Sequence, residues 1–339
     1  MMKKIFLIPV VASLALFSCK DGKEQEQTSA EDAESKIQIA EPQYDTYAEI
    51  SVKEGGHWEG REYIDGQFKN VENLDVPKEH TDHSWFIRYE GPGWENSQVG
   101  YRLYLDWRNA IDIFGKKADT MVLPYVGQDN FDSYHEAAPW GQDILKAGKS
   151  LGIGGYGRYM NDTVAHFRNV QNTHAEVNNS AGSSSVAITY EGWQTGEETI
   201  DLDAELTIYP EGRYTQVELS PSAEIEGLTT GIVKFEDVPL IQKESEGGNW
   251  AYIATYGAQT LVNDEDELGM AIFYKKDELA QQVEGPDDHL LIFKPTSDKV
   301  TYYLLGAWEQ EKEGITTEED FVSNLDELLQ NLDSNNALK

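Results

Sequence analysis

The sequence predicts an all-β fold: a large antiparallel β-sandwich closed by one C-terminal helix. Three observations carry that expectation. From Ile37 onward the chain runs in short alternating stretches rich in Val, Ile, Thr, Tyr and Phe. Gly, Pro, Asn and Asp punctuate those stretches, and no repeat of fixed period relates them. Helical spacing of apolar residues stands out in one place only, near the C-terminus.

The first residues read as an address rather than as structure. Lys3 and Lys4 precede an apolar run, Ile5–Phe17, which is too short to span a bilayer comfortably. Leu16-Phe17-Ser18-Cys19 resembles the cleavage site of a bacterial lipoprotein signal, so residues 1–18 are expected to be removed and Cys19 to be lipidated. Cys19 is the only cysteine, which leaves the mature domain no disulfide, no thiolate nucleophile and no thiolate metal site. Residues 19–36 are polar, charged and free of aromatics, the composition of a flexible tether. Acidic residues so soon after the cysteine resemble the export signals of surface lipoproteins. The implied location is a lipid anchor in the outer membrane, facing the cell surface or the periplasm. Residues 37–339 are then one catalytic sandwich domain.

Within that domain Ala204–Tyr209, Thr215–Leu219, Gly231–Phe235, Trp250–Tyr256, Met270–Tyr274, Leu290–Lys294 and Thr301–Trp308 read as strands. Thr316 with Glu319 offers a capping box, and Phe321, Leu325, Leu328 and Leu332 follow at helical spacing. That helix is expected to lay its apolar stripe on the sandwich, with Asp333–Lys339 fraying.

Charge narrows the function. The chain carries a formal net charge of −34, which argues against nucleic acid, since phosphate binding relies on clustered Lys and Arg. Residues 101–170 depart from the excess, with eight Lys/Arg against eight Asp/Glu, and Trp85, Trp94, Trp107 and Trp140 lie in or beside this window. An acidic protein that keeps one aromatic-rich segment neutral is reserving a place for an anion.

Read as one strand, Val99–Asn109 puts Val99, Tyr101, Leu103, Leu105 and Trp107 on a core face. Arg102, Tyr104, Asp106 and Arg108 fall on the other, either solvated or walling a groove. Guanidinium forks suit sugar carboxylates or sulfates. Six residues separate Arg102 from Arg108, about 20 Å along a strand, so they are expected to serve different subsites. Tyr134-His135 is the best acid/base candidate, because histidine titrates near neutrality. A lone histidine is also an ordinary structural residue. His80 and His83 are three apart, but Pro77 and polar neighbours place them in a loop without a zinc motif, so no metal site is expected. Gly152–Gly157 fits G-x-G-x-x-G, yet Arg158–Val170 reads as a hairpin turning at Asn161-Asp162 and not as a helix, so no dinucleotide and no other cofactor is expected. Trp94 and Trp140 follow Gly or Pro at loop edges, as sugar platforms or as lids over the core. Gly-x-Ser-x-Gly is absent, so acyl transfer has no support.

The blocks YEGPGWENSQVGYRLYLDWRNAIDIFGKK and YHEAAPWGQDILKAGKSLGIGG resemble a family of bacterial lipoproteins long catalogued only as a domain of unknown function. PEGRYTQVEL, TGIVKF and YYLLGAWEQ extend the likeness weakly, to roughly Ile37–Leu332. The resemblance implies a mutarotase-like supersandwich and a locus shared with polysaccharide-degrading enzymes. It also implies an oligosaccharide dehydratase of ulvan breakdown, which removes water across C4–C5 of a non-reducing-end uronic acid for an unsaturated glucuronyl hydrolase to act on next. In that scheme His135 is base or acid, Tyr134 or Tyr156 its counterpart, and Arg102 neutralises the carboxylate. Arg108, Lys146, Arg158 and His83 hold further parts of an anionic oligosaccharide, with Trp94 and Trp140 as platforms. Two alternatives stand beside it: a non-catalytic glycan-binding lipoprotein, and a polysaccharide lyase.

Overall fold

A computed structural model describes residues 42–131 and 133–339. The signal segment, Cys19 and the tether therefore lie outside the described residues. Two broad layers face each other. One is a nine-stranded sheet in the spatial order Leu240–Glu244, Trp250–Ala258, Glu267–Lys275, Val300–Trp308, Tyr214–Pro221, Glu198–Ile208, Ser184–Thr195, Asn172–Asn179 and Asn73–Asp75. The other is made of two sheets side by side. Six strands run in the order Gln67–Val71, Thr46–Glu54, Gly93–Asn96, Val99–Leu103, Ile111–Lys116 and Gly141–Asp143. Five run in the order Thr163–Ala165, Ile153–Met160, Leu228–Val233, Asp288–Phe293 and Leu279–Glu284. Every strand pair named here is antiparallel, and a single parallel bridge between Ile111 and Gly152 links the two smaller sheets. The all-β sandwich expectation holds.

Period-two alternation builds this arrangement. Along Glu198–Ile208, Ile200, Leu202, Ala204, Leu206 and Ile208 enter the main core, while Thr199, Asp201, Asp203 and Glu205 face solvent. Strands at the other end of the sheet are apolar on both sides. In Trp250–Ala258, Ala251 and Ile253 join the main core, whereas Trp250, Tyr252 and Tyr256 join a second core on the outer face. The C-terminal helix, Glu318–Asn335, fills that outer face with Phe321, Leu325, Leu329 and Leu332. Its details differ from the sequence reading. Thr317, not Thr316, caps the helix by accepting from the Asp320 amide at 3.1 Å, and Leu329 takes the fully buried place expected of Leu328. The end does not fray from Asp333: the helix continues to Asn335 and Leu338 is buried against Tyr303.

The glycine run at 152–157 opens the strand Ile153–Met160, which pairs with Thr163–Ala165 across Asn161 and Asp162, both left-handed. A hairpin follows the glycines, as the sequence indicated. Polar cross-links fix the facing sheets in register, among them Trp94 Nε1 donating to Thr215 Oγ1 at 2.8 Å and the Gly306 amide donating to Tyr101 Oη at 2.8 Å.

Candidate active site

The outer face of the six-stranded sheet is not solvated. Residues 117–131 and 133–140 fold over it, and Tyr89, Phe114, Val122, Leu123, Val126 and Tyr134 form a small apolar cluster beneath. A buried charge pair anchors this covering segment. Lys116 Nζ lies 2.6 Å from Glu95 Oε2, and Glu95 also accepts the amides of Val122 and Leu123, each at 2.8 Å. Burial pushes the Glu95 carboxyl up from its ordinary value, with Lys116 pulling against it.

Arg102 lies in this covered layer, wholly buried at the centre of a network. Its Nη2 donates to Asp143 Oδ2 at 2.8 Å, to Asp112 Oδ2 at 3.0 Å and to Tyr104 Oη at 3.0 Å, while Nη1 donates to the Tyr89 carbonyl at 3.0 Å. Glu90 Oε2 stands 3.8 Å from Nη1. Burial works against the guanidinium charge, but Tyr104, Asp143 and Asp112 outweigh it and keep Arg102 protonated. Asp112 pays the electrostatic cost: burial first, and Asp143 beside it second, push its carboxyl up to about 7 despite Arg102.

His135 meets this network at the surface. It ends a short 3-10 turn, Ser133–His135, with a side chain 39% exposed, and its Nδ1 lies 2.9 Å from the same Asp143 Oδ2 that binds Arg102. A buried carboxylate at Nδ1 favours the tautomer with the proton there, which leaves Nε2 as the acceptor. Tyr134 packs its ring 4.2 Å from that of His135 and under the Arg102 guanidinium, 4.7 Å from it. Its buried hydroxyl has no hydrogen-bond partner among the described residues. Burial, opposed in part by Arg102, raises the Tyr134 phenol above its ordinary value, so it holds its proton.

A second exposed histidine is linked to the first through two intervening rings. His83, 61% exposed, has Nδ1 3.7 Å from Glu90 Oε1, and its ring lies 5.4 Å from Phe131, which in turn lies 6.1 Å from Tyr134. Burial alone would raise the Glu90 carboxyl, but Arg102 and Arg108 outweigh it and hold it below its ordinary value. The backbone here is held in unusual shapes. His83, Trp85, Tyr89 and Glu90 are all left-handed without being glycine, a concentration of strain typical of sites whose geometry is fixed by their surroundings. Gly91 makes the approach possible, since a Cβ there would sit 1.8 Å from the Leu103 carbonyl oxygen.

The spacing argument about the two arginines is corrected by a turn. The strand stops at Leu103, Leu105–Arg108 turn, and Asn109 is left-handed, so Arg108 folds back instead of continuing outward. Both guanidinium groups then reach Glu90, Arg108 Nη2 at 2.8 Å, and Asp106 grips Arg108 through both oxygens. Nor is Arg102 open to a ligand, as an arginine on a groove wall would be.

Other expected residues lie elsewhere. Trp94 is not at a loop edge but in a strand and fully buried in the main core, so it offers no face to a sugar. Tyr156 is equally buried, its hydroxyl 3.1 Å from that of Tyr190, and it has no contact with His135. Arg158 is tied to the Glu226 and Thr195 carbonyls and to Glu198 in the five-stranded sheet. Lys146 is exposed. Trp140 is half-buried, edge-on to Phe114 at 5.9 Å. His80 and His83 take different partners, His80 lying 2.8 Å from Ser84 Oγ, and among the described residues no three His, Cys, Asp or Glu side chains converge as metal ligands. Asp143, Asp112 and Glu90 were not singled out by sequence, and Asp106 was placed only on the polar face of the strand. The Gly91-Pro92-Gly93 stretch beside Glu90 and the hairpin pairing of Arg102 opposite Asp112 were the available signals.

Residues 16–336 match a family described as a domain of unknown function, DUF4861. The chain belongs to the DUF4861 family. Among curated proteins nothing matches this DUF4861 chain. Among solved structures it is similar to one described as "Putative kojibiose phosphorylase from human microbiome", at 10% identity and a TM-score of 0.33. The likeness covers 70% of the DUF4861 chain and 32% of that protein, so the chain spans about a third of its neighbour's length.

Proposed function

We propose that this protein is an oligosaccharide dehydratase that removes water across C4–C5 of a non-reducing-end uronic acid in ulvan-type oligosaccharides, giving a 4,5-unsaturated end. One observation carries the reading: an exposed histidine whose Nδ1 is held by a buried carboxylate, itself held by a buried arginine. That arrangement is a positioned general base. In the proposed step His135 Nε2 takes the C5 proton, the electron pair forms the C4–C5 double bond, and the C4–O bond breaks. His135 then gives that proton to the departing C4 oxygen, which leaves as water and restores the free imidazole; Tyr134, its hydroxyl buried, packs against the imidazole and positions it. The C5 proton is acidic only if the adjoining carboxylate is neutralised. Arg102 is saturated by protein carboxylates, so it supplies field rather than contact, and His83 meets the substrate carboxylate directly.

A lipid anchor at Cys19, placement in the outer membrane and an unsaturated glucuronyl hydrolase as the next enzyme belong to the same proposal. Saturation of Arg102 favours a second reading, a glycan-binding lipoprotein without chemistry. Incubation with saturated uronic-acid-ended oligosaccharides separates the two. A dehydratase lowers the product mass by one water at unchanged length and creates ultraviolet absorbance, a lyase yields two shorter chains, and a binder leaves mass unchanged. Unchanged mass at saturating protein removes the dehydratase.

A further inference from the structure

Asp106, which grips Arg108, also lines a cavity of about 620 Å³ on the far side of the turn, a volume suited to one or two sugar rings. Arg168 lies over the Trp107 ring on its wall, the guanidinium carbon 3.4 Å from the ring centroid. Arg108, beside the cavity, is spoken for by Asp106 and Glu90. Arg168 is exposed and, among the described residues, has no ion pair. Lys78, also exposed, lines the same cavity. Of the two acids on the wall, Asp106 is held by Arg108, which it shares with Glu90, and the other is Glu79. His80 adds a buried Nε2 with no partner, and Asn172 and Thr173 bring neutral polar groups.

An aromatic plate carrying a guanidinium, with uncommitted hydrogen-bonding groups around it, suits a ring that bears an anionic substituent. We infer that this cavity is a second sugar subsite, in which Arg168 on Trp107 binds the sulfate ester or carboxylate of a residue further along the oligosaccharide. The inference deepens the dehydratase reading and rests on its glycan substrate. It does not rest on the chemistry at His135.

Calorimetric titration tests it in the His135→Ala background, where no substrate is consumed. The probes are a sulfated, uronic-acid-ended oligosaccharide, its desulfated form and its carboxyl-reduced form. Adding Arg168→Gln is expected to weaken the sulfated probe roughly tenfold, the worth of one charge-assisted contact. If the loss vanishes on desulfation, the subsite takes sulfate; if it vanishes on carboxyl reduction, it takes carboxylate. Equal affinities with and without Arg168→Gln for all three probes overturn the subsite, as does absence of binding. Retained binding with the Arg168 penalty, in a protein whose unmutated form makes no unsaturated product, leaves the subsite standing and removes the dehydratase.

Discussion

Arg102 and His135 share one atom: Asp143 Oδ2 stands 2.8 Å from the arginine Nη2 and 2.9 Å from the histidine Nδ1. The buried cation and the exposed histidine are therefore not separate features of two surfaces. Asp143 sets the orientation of one and shields the charge of the other.

His135→Ala is expected to abolish the ultraviolet absorbance of the product while leaving the melting temperature close to that of the unmutated protein, because the ring is partly exposed and its loss opens no cavity. Asp143→Asn should lower product formation by roughly 10–100-fold with little change in oligosaccharide affinity, the usual effect of losing a group that orients another. Near-normal turnover in His135→Ala would take that residue out of the chemistry.

Arg102→Met is expected to cost about 3–5 kcal/mol of stability, since it leaves Asp112 and Asp143 buried without their shared cation. Urea unfolding measures this directly. Arg102→Lys should recover only part of the loss, because an ammonium cannot reproduce the fork that reaches Asp112, Asp143 and the Tyr89 carbonyl together. Full recovery by lysine would show that charge alone matters there.

The contribution of two buried carboxylates to stability is expected to fall as pH rises from about 4 to about 7. Burial raises the Asp288 carboxyl from 3.8 to about 7, and Asp112 moves in the same direction to about 7. Between those values these two groups hold more protons in the folded protein than in the unfolded chain, so through them raising the pH favours unfolding. Asp288→Asn retains the oxygen that accepts the Leu151 amide and removes the titration. Its urea midpoint should match the unmutated protein near pH 4 and exceed it at pH 8, by up to roughly 4 kcal/mol in free energy. A midpoint difference that does not change with pH would assign the slope to other groups.

Trp94→Ala is expected to destabilise by about 3–5 kcal/mol, as for an aromatic removed from a packed core. It should leave oligosaccharide affinity unchanged in whatever protein remains folded. Lost affinity in a fully folded Trp94→Ala protein would contradict its burial between the sheets.

Period-two alternation made the sandwich legible, because the rule that buries Leu202, Leu206 and Ile208 acts within each strand and needs no partner. The helix was legible for the same reason, and its cap was misplaced by one residue because Thr316 and Thr317 both present a hydroxyl before an acidic residue. The site was legible only in part. Tyr134-His135 could be singled out from chemistry alone, but Asp143 becomes its partner only through pairing between Ile111–Lys116 and Gly141–Asp143. Arg102 had the right neighbours for the wrong reason: alternation assigned it to the face opposite the core, and no local rule announces that residues 117–131 and 133–140 cover that face. The turn at Leu105–Arg108 sends Arg108 back toward Glu90, so a strand extrapolated through it points the wrong way.

The deep Glu95–Lys116 couple has a practical corollary. It rivets the segment bearing His135 to the sheet below, so His135 is expected to have no melting event of its own. Heating should extinguish turnover and tertiary structure along one coincident curve, and inactivation ahead of unfolding would mean the rivet gives way first.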